Sequence, residues 1–246
     1  MRVSPWSEKA RWALDHRGVP YSYAEYLPML GELPLRVRAG KMRGKITVPI
    51  LFDGERVLDD SFAIARFADA SGSGARLFPH AHEAAIVGWN AKSDALLTSG
   101  RALVLRKLAE DREAQRESLP SFVPGAVRGA SAFVAETAAR YLAKKHGTSD
   151  ADLDASTRAI DDVLAGLRAA LGGKTYLLGE FSYADIAMAV GLQMVAPVAN
   201  AFVPLGPATR RCWSVPSLAS KYTDLVAWRD ELYAKHRHLQ RGSGAS

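Results

Sequence analysis

At three points in this sequence, hydroxyl and carboxylate side chains gather where a helix is predicted to begin. Ser4-Pro5-Trp6-Ser7 opens the first helical stretch, Asp60-Ser61 a second, and Ser182-Tyr183-Ala184-Asp185 a third. A helix start carries unpaired backbone N–H groups and the positive end of the helix dipole. A hydroxyl or acid there can cap the helix or help to hold an anion. By spacing alone, both readings stand for Ser4, Ser7, Asp60 and Ser61. Ser182 and Asp185 read as structural: Ser182 caps its helix and Asp185 reaches back to the cap amide, a capping box with Asp in place of Glu.

A cationic run follows the first of these stretches. Arg36, Arg38, Lys41, Arg43 and Lys45 have no acid between them. The run suits either a solvated helix face or a site for a small carboxylate or phosphate. It lacks the interleaved aromatics on which nucleic acid bases stack, so nucleic acid is not the expected partner. Cys212 is the single cysteine, which excludes an internal disulfide, a Cys-x-x-Cys redox pair and a Cys-rich zinc site. With Arg210, Arg211 and Trp213 beside it, Cys212 reads as a packed, inert thiol or a mildly activated one. His80/His82 and His236/His238 have no carboxylate or cysteine cluster near them and read as surface residues, so no metal site is expected.

The elements that must position these groups fall into two parts. Up to Pro79, helical and strand-like periods alternate. Trp6, Ala10, Ala13 and Leu14 space an amphipathic helix over Pro5–Arg17, with Ser4 as N-cap, Pro5 at the first helical position and Gly18 as terminator. Pro20–Tyr26 alternates as a strand does, and Gly31–Gly44 predicts a short, irregular helix. Val48–Phe52, the Asp53-Gly54 turn and Arg56–Leu58 predict a β-hairpin. Ser61–Ala70 predicts a helix that ends in Ser71-Gly72-Ser73-Gly74. Beyond Pro79 the strand signals stop. Helical periods take over at Glu83–Arg112, Ala130–Lys145, Ala151–Leu171, Tyr183–Val195 and Ser217–His236, with a loop or broken helix over Ser118–Ala130. The predicted organisation is an α/β domain over 1–79, an all-α domain over 83–240 and a flexible tail over 241–246.

The 246 residues carry a net charge of +6, 48% of them are hydrophobic, and their composition is that of a globular protein. Residues 186–208 are uncharged, but Pro197, Pro204 and Pro207 interrupt them, so they read as a buried helix and not as a membrane span. No apolar leader follows Met1 and Arg2, and a reduced, cytoplasmic setting is expected.

Taken together and in order, Ser4–Leu14 (SPWSEKARWAL), Thr47-Val48-Pro49-Ile50, Asp60-Ser61, Leu77-Phe78-Pro79, Leu178-Gly179-Glu180 and Ser182–Asp185 resemble the glutathione transferase superfamily over roughly residues 2–238. The late Pro216-Ser217-Leu218 and Ala227-Trp228-Arg229 are similar too. The resemblance implies a thioredoxin-like first domain that binds glutathione as cosubstrate and a helical second domain that shapes the pocket for a small hydrophobic electrophile. It implies Ser4 as the residue that activates the thiol, with Ser7 as the other candidate hydroxyl. Val48, before a cis Pro49, would pair its backbone with the cysteinyl part. Asp60 and Ser61 would grip the γ-glutamyl end, and the basic run, with Lys45, would attract the glycyl carboxylate. Trp6 and Trp89, with the nearby Ser99–Leu103 stretch, would line the electrophile pocket. A homodimer with a role in detoxification is expected. The family normally has a full strand before its active residue. Only Met1-Arg2-Val3 precede Ser4, so that strand is expected to be a stub or to lie partly upstream. A rival reading of the same fold is a non-catalytic module that binds apolar anions or a protein partner.

Overall fold

The computed structural model describes residues 3–24, 26, 31–44, 46–117 and 150–238. The predicted helix over 130–145, the loop over 118–130 and the tail over 241–246 lie outside the described residues, as does Lys45. The described helices are α1 (Pro5–His16), α2 (Glu32–Arg38), α3 (Ser61–Ser71), α4 (Glu83–Glu110), α5 (Arg112–Glu117), α6 (Asp150–Leu171), α7 (Tyr183–Gly191), α8 (Pro207–Cys212), α9 (Pro216–Lys221) and α10 (Thr223–His236). Two strands, β1 (Leu51–Asp53) and β2 (Arg56–Leu58), form the expected antiparallel hairpin with Leu51 opposite Leu58 and Asp53 opposite Arg56. Gly54 makes the turn at φ 58°, a conformation that costs glycine little.

The chain divides into two compact units. One comprises Met1–Asn90, Tyr176–Val190 and Glu231–Ser246; the other comprises Ala91–Thr175 and Gly191–Asp230. In the first, α1 and α3 pack together through Ala10, Ala13, Leu14, Ile64, Ala65 and Ala68, all buried. Tyr183, at the start of α7, stacks on Phe78 with ring centres 5.1 Å apart, and its N–H donates to Leu77 O at 2.9 Å. Every residue of α7 is buried, Asp185 included, as expected of a helix that is apolar apart from that one acid. In the second unit, Ile160, Leu164, Leu167 and Leu171 form the buried stripe of α6 at helical spacing. The Glu117 carboxylate caps α8, accepting from the Ala208 and Thr209 N–H groups at 3.1 and 2.7 Å.

Several expectations are corrected. The described part of Pro20–Tyr26 is not a strand: among the described residues the ladder pairs β1 with β2 and does not extend to it. The first hairpin strand begins at Leu51 and not at Val48, since Pro49 has no N–H to offer a partner. The last predicted helix is two, α9 and α10, broken at Tyr222 (φ −120°, ψ 42°). The short α8 was not predicted. In α1 the fully buried tryptophan is Trp12, with Trp6 half-buried, and Glu8 and Lys9 are buried as well, so the helix is not simply amphipathic. His236 is half-buried against Phe181 (3.8 Å, stacked) and is not a surface residue.

The third box differs from its expectation in one bond. The Asp185 carboxylate does accept the Ser182 N–H (2.9 Å), but it also accepts the Ser182 O–H (3.0 Å) and the Leu177 N–H (2.9 Å). The Ser182 hydroxyl thus donates to the acid where capping would have it accept from the helix. Burial pushes the Asp185 carboxyl up to about 6, and the three hydrogen bonds oppose that rise without cancelling it.

Two stability predictions follow. Gly72→Ala puts a Cβ 2.3 Å from the Arg17 carbonyl oxygen and 2.5 Å from Arg17 Cβ. Chemical denaturation should show a loss of about 2 kcal/mol or more. For Asp185, the folded carboxyl holds its proton to a higher pH than the unfolded one. The stability margin of the wild type over Asp185→Asn should therefore shrink as pH rises from about 4 to about 6, by at most roughly 3 kcal/mol. A margin that widens over that range would contradict the assignment.

Candidate functional site

Ser4 has extended backbone (φ −69°, ψ 122°), its carbonyl accepts the Glu8 N–H at 2.9 Å, and Pro5 takes the first helical position. Its Oγ accepts the Ser7 N–H at 3.4 Å. That length is at the long end for a cap, and a hydroxyl that accepts still has its own proton to donate. Capping the helix and donating to an anion are therefore compatible at Ser4. Ser4 is half-buried, whereas Ser7 is only 5% exposed. Of the two hydroxyls, Ser4 is the more open to a small molecule.

The partner elements are placed by two geometric facts within the first unit. Backbone Ser73 N–H donates to Arg17 O at 2.9 Å, and the buried Arg17 guanidinium donates to Asp69 O (3.1 Å), Gly72 O (2.9 Å) and Ala75 O (2.8 Å), and to Gly74 O. The C-terminal ends of α1 and α3 are therefore tied together. The two helices pack and are nearly equal in length, so their N-terminal ends, Ser4 and Asp60-Ser61, face the same way. The second fact is the hairpin register. Leu51 pairs with Leu58, so Val48-Pro49, just before β1, and Asp60-Ser61, just after β2, both leave the open end of the hairpin.

The Val48–Pro49 peptide is cis and both residues are half-buried. Asp60 is exposed and caps α3, its Oδ2 accepting the Ala63 N–H at 2.8 Å. Ser61 is 2% exposed. Two helix N-termini directed to one end make a region favourable to negative charge, at about 0.3–1 kcal/mol each.

The basic run is largely engaged within the protein. Arg36 donates to Glu32 Oε1 (2.8 and 2.9 Å), to Gly44 O (2.9 Å) and to Lys41 O (3.2 Å). Arg38 lies over the Phe52 ring at 4.3 Å, and Lys41 pairs with Asp59. Arg43 is exposed and takes part in none of these contacts. Trp89 is half-buried on α4. Cys212 is buried, and burial pushes its thiol up, which makes it a packed side chain. Among the described residues no group of three His, Cys, Asp or Glu side chains could hold a metal ion, and no helix is long and apolar enough to cross a membrane.

Sequence reasoning missed what lies further along α1 from Ser4. Glu8 (1% exposed) and Asp15 both pair with Arg237 (side chain 2% exposed), from the chain's last described residues, and Glu8 also pairs with Arg11 at 2.6 Å. Glu8 and Asp15 are seven apart, hence on one helix face, the only sequence signal that the pair shares a cation.

Comparison with known proteins decides the family. The model for the glutathione S-transferase N-terminal domain matches residues 3–71, and that for the C-terminal domain matches residues 131–235. The chain belongs to the glutathione S-transferase family. Its fold class is accordingly a thioredoxin-like α/β domain followed by an all-α domain. No curated protein sequence matches significantly. Among solved structures, a glutathione transferase family member from Pseudomonas fluorescens Pf-5 with bound glutathione is similar over 96% of this chain and 92% of its own, at 18% identity and TM-score 0.61. A second crystal structure from that organism, of a family member with bound S-(propanoic acid)-glutathione, gives 18% identity, the same coverages and TM-score 0.57. A glutathione S-transferase domain-containing protein from Marinobacter aquaeolei VT8 is similar at 17% identity and TM-score 0.55, over 94% of each chain.

If Ser4 carries only the long cap bond, its removal is mild. Ser4→Ala should lower stability by about 1 kcal/mol in denaturant titration, and Asp60→Ala, with its 2.8 Å cap bond, by about the same or more.

Proposed function

We propose that the protein is a glutathione transferase that ionises the glutathione thiol at Ser4 for attack on, or reduction of, a hydrophobic electrophile. The observation that carries this reading is the convergence of Ser4, Val48-Pro49 and Asp60-Ser61 at one end of the first unit, where two helices begin. In this reading the Val48 backbone pairs with the cysteinyl part. Asp60 faces the γ-glutamyl ammonium, and the α3 N-terminus with Ser61 faces its carboxylate. Arg43 remains available to the glycyl carboxylate, and Trp6 and Trp89 line the electrophile's side. A cytoplasmic homodimer working in detoxification fits the same reading. The solved relatives with bound glutathione or a glutathione conjugate support the ligand class.

The energetics suffice. A free thiol has a pKa near ~8.5, so holding it ionised at neutral pH needs a shift of roughly two units, about 2.7 kcal/mol. A hydrogen bond to a charged group contributes about 1.5–3 kcal/mol and a helix N-terminus about 0.3–1 kcal/mol. Ser4 on the lip of α1 combines the two. Once the thiolate has attacked the electrophile's carbon, the bond from that carbon to its leaving group breaks. The proton that came off sulfur has by then gone to solvent.

Binding to immobilised glutathione and ultraviolet difference absorbance of the bound thiolate test the reading. Wild type should retain on the resin and show the thiolate band near neutral pH. Ser4→Ala should keep binding yet show roughly tenfold less thiolate or lower. Wild type that binds glutathione but shows no more thiolate than the variant would instead mark a non-catalytic binding module.

A further inference from the structure

One turn along α1 from Ser4 begins a buried chain of alternating charges that the transfer chemistry does not itself require. Arg237 Nε donates to Glu8 Oε1 at 2.7 Å, Arg237 Nη1 donates to Asp15 Oδ2, and Arg11 Nη2 donates to Glu8 Oε2 at 2.6 Å. Arg237, Glu8 and Asp15 have side chains no more than 3% exposed. The partners are 229 residues apart in sequence, so α1 is joined here to the end of the chain. The join is reinforced where Trp12 Nε1–H donates to His236 O at 3.1 Å and where the Trp12 and Tyr233 rings lie 4.3 Å apart.

Glu8 sits in the first turn of α1, one turn from Ser4, and its N–H donates to Ser4 O. Side chains on a helix lean toward its N-terminus, so an unneutralised Glu8 would place negative charge directly behind the Ser4 hydroxyl. There it would oppose the anion that the helix end favours.

We propose that Arg237 is a positioning residue for the Ser4 site: by pairing with Glu8 it neutralises the charge behind Ser4 and so sets how readily a thiol bound there ionises. The inference rests on the proposed glutathione reading. The groups around the pair are Arg11 and Asp15 on α1, Tyr21, which is hydrogen-bonded to Asp15, and the His238 carbonyl, which accepts from Arg237 Nη1 at 3.2 Å. Lys9, also buried, turns to Asn90 Oδ1 at 3.0 Å. Arg11, Glu8, Arg237 and Asp15 sum to zero. Burial pushes the Asp15 carboxyl up, the Arg237 guanidinium opposes that rise, and Tyr21 shares the hydrogen bonding of Asp15. Arg11 holds Glu8 in place. Removing Arg237 therefore removes positive charge behind Ser4, and removing the Glu8 charge does the opposite.

That opposition of sign separates an electrostatic role from a packing role. The test is the ultraviolet titration of glutathione bound to wild type, Arg237→Met, Glu8→Gln and the double variant, each first checked for a cooperative thermal transition. A unit charge at this range in a partly buried site corresponds to a shift of about one pH unit. Arg237→Met should raise the thiol midpoint by about that much, Glu8→Gln should lower it, and the double variant should return close to wild type. Midpoints that do not move, or that move the same way in both single variants, overturn the inference and leave the proposed function standing. If Arg237→Met does not fold, the downward shift in near-isosteric Glu8→Gln decides alone. A wild type with no thiolate band overturns both the proposed function and this inference.

Discussion

One guanidinium holds two carboxylates of the first helix, and much of the first unit depends on it. Glu8 and Asp15 are buried acids on α1, and each would cost several kcal/mol in isolation. Arg237 supplies the charge that makes their burial tolerable, and the residues around it, Tyr233 and His236, complete the packing of Trp12. A helix buried nearly all round needs such a partner on its charged face, since only a paired charge can be covered by protein. At the other end of the same helix, Arg17 does comparable work with backbone carbonyls, and Gly72 must be glycine to let the chain come close enough.

These two anchors fix α1 in direction and position, and the proposed site follows from the direction. Because α1 and α3 are tied at their C-termini, their N-termini share one end, and the hairpin register brings Val48-Pro49 to Asp60-Ser61. The site is thus a consequence of helix polarity and strand register. It has little chemistry of its own beyond a hydroxyl, a cap carboxylate and backbone N–H groups. The lone cysteine is packed and pushed toward the neutral thiol, so in the proposed reading the reactive sulfur comes with glutathione.

Features that depend on neighbours in sequence were legible. The Ser4 and Asp60 caps, the Gly54 turn and the bounds of α1, α3, α4 and α6 all follow from a few adjacent residues, and the helical stretches agree to within a residue or two. The cis peptide at Pro49 follows from the family resemblance, not from propensity. What could not be read depends on distant partners. Pro20–Tyr26 alternates like a strand, but a strand needs a neighbour, and periodicity does not report one. Spacing with Ala10, Ala13 and Leu14 puts Trp6 on the apolar face; Trp12 is the fully buried one because Tyr233 and His236 cover it. The basic run suits either a solvated face or an anion site by sequence, and Glu32, Asp59 and Phe52 occupy three of its cations.

The central claim is that Ser4 is where the thiol is held. A crystal structure of the protein with glutathione tests it most directly. The account predicts the sulfur within hydrogen-bond reach of Ser4 Oγ, with the γ-glutamyl end at the start of α3. A sulfur closer to Ser7, or one that meets neither hydroxyl, would contradict it.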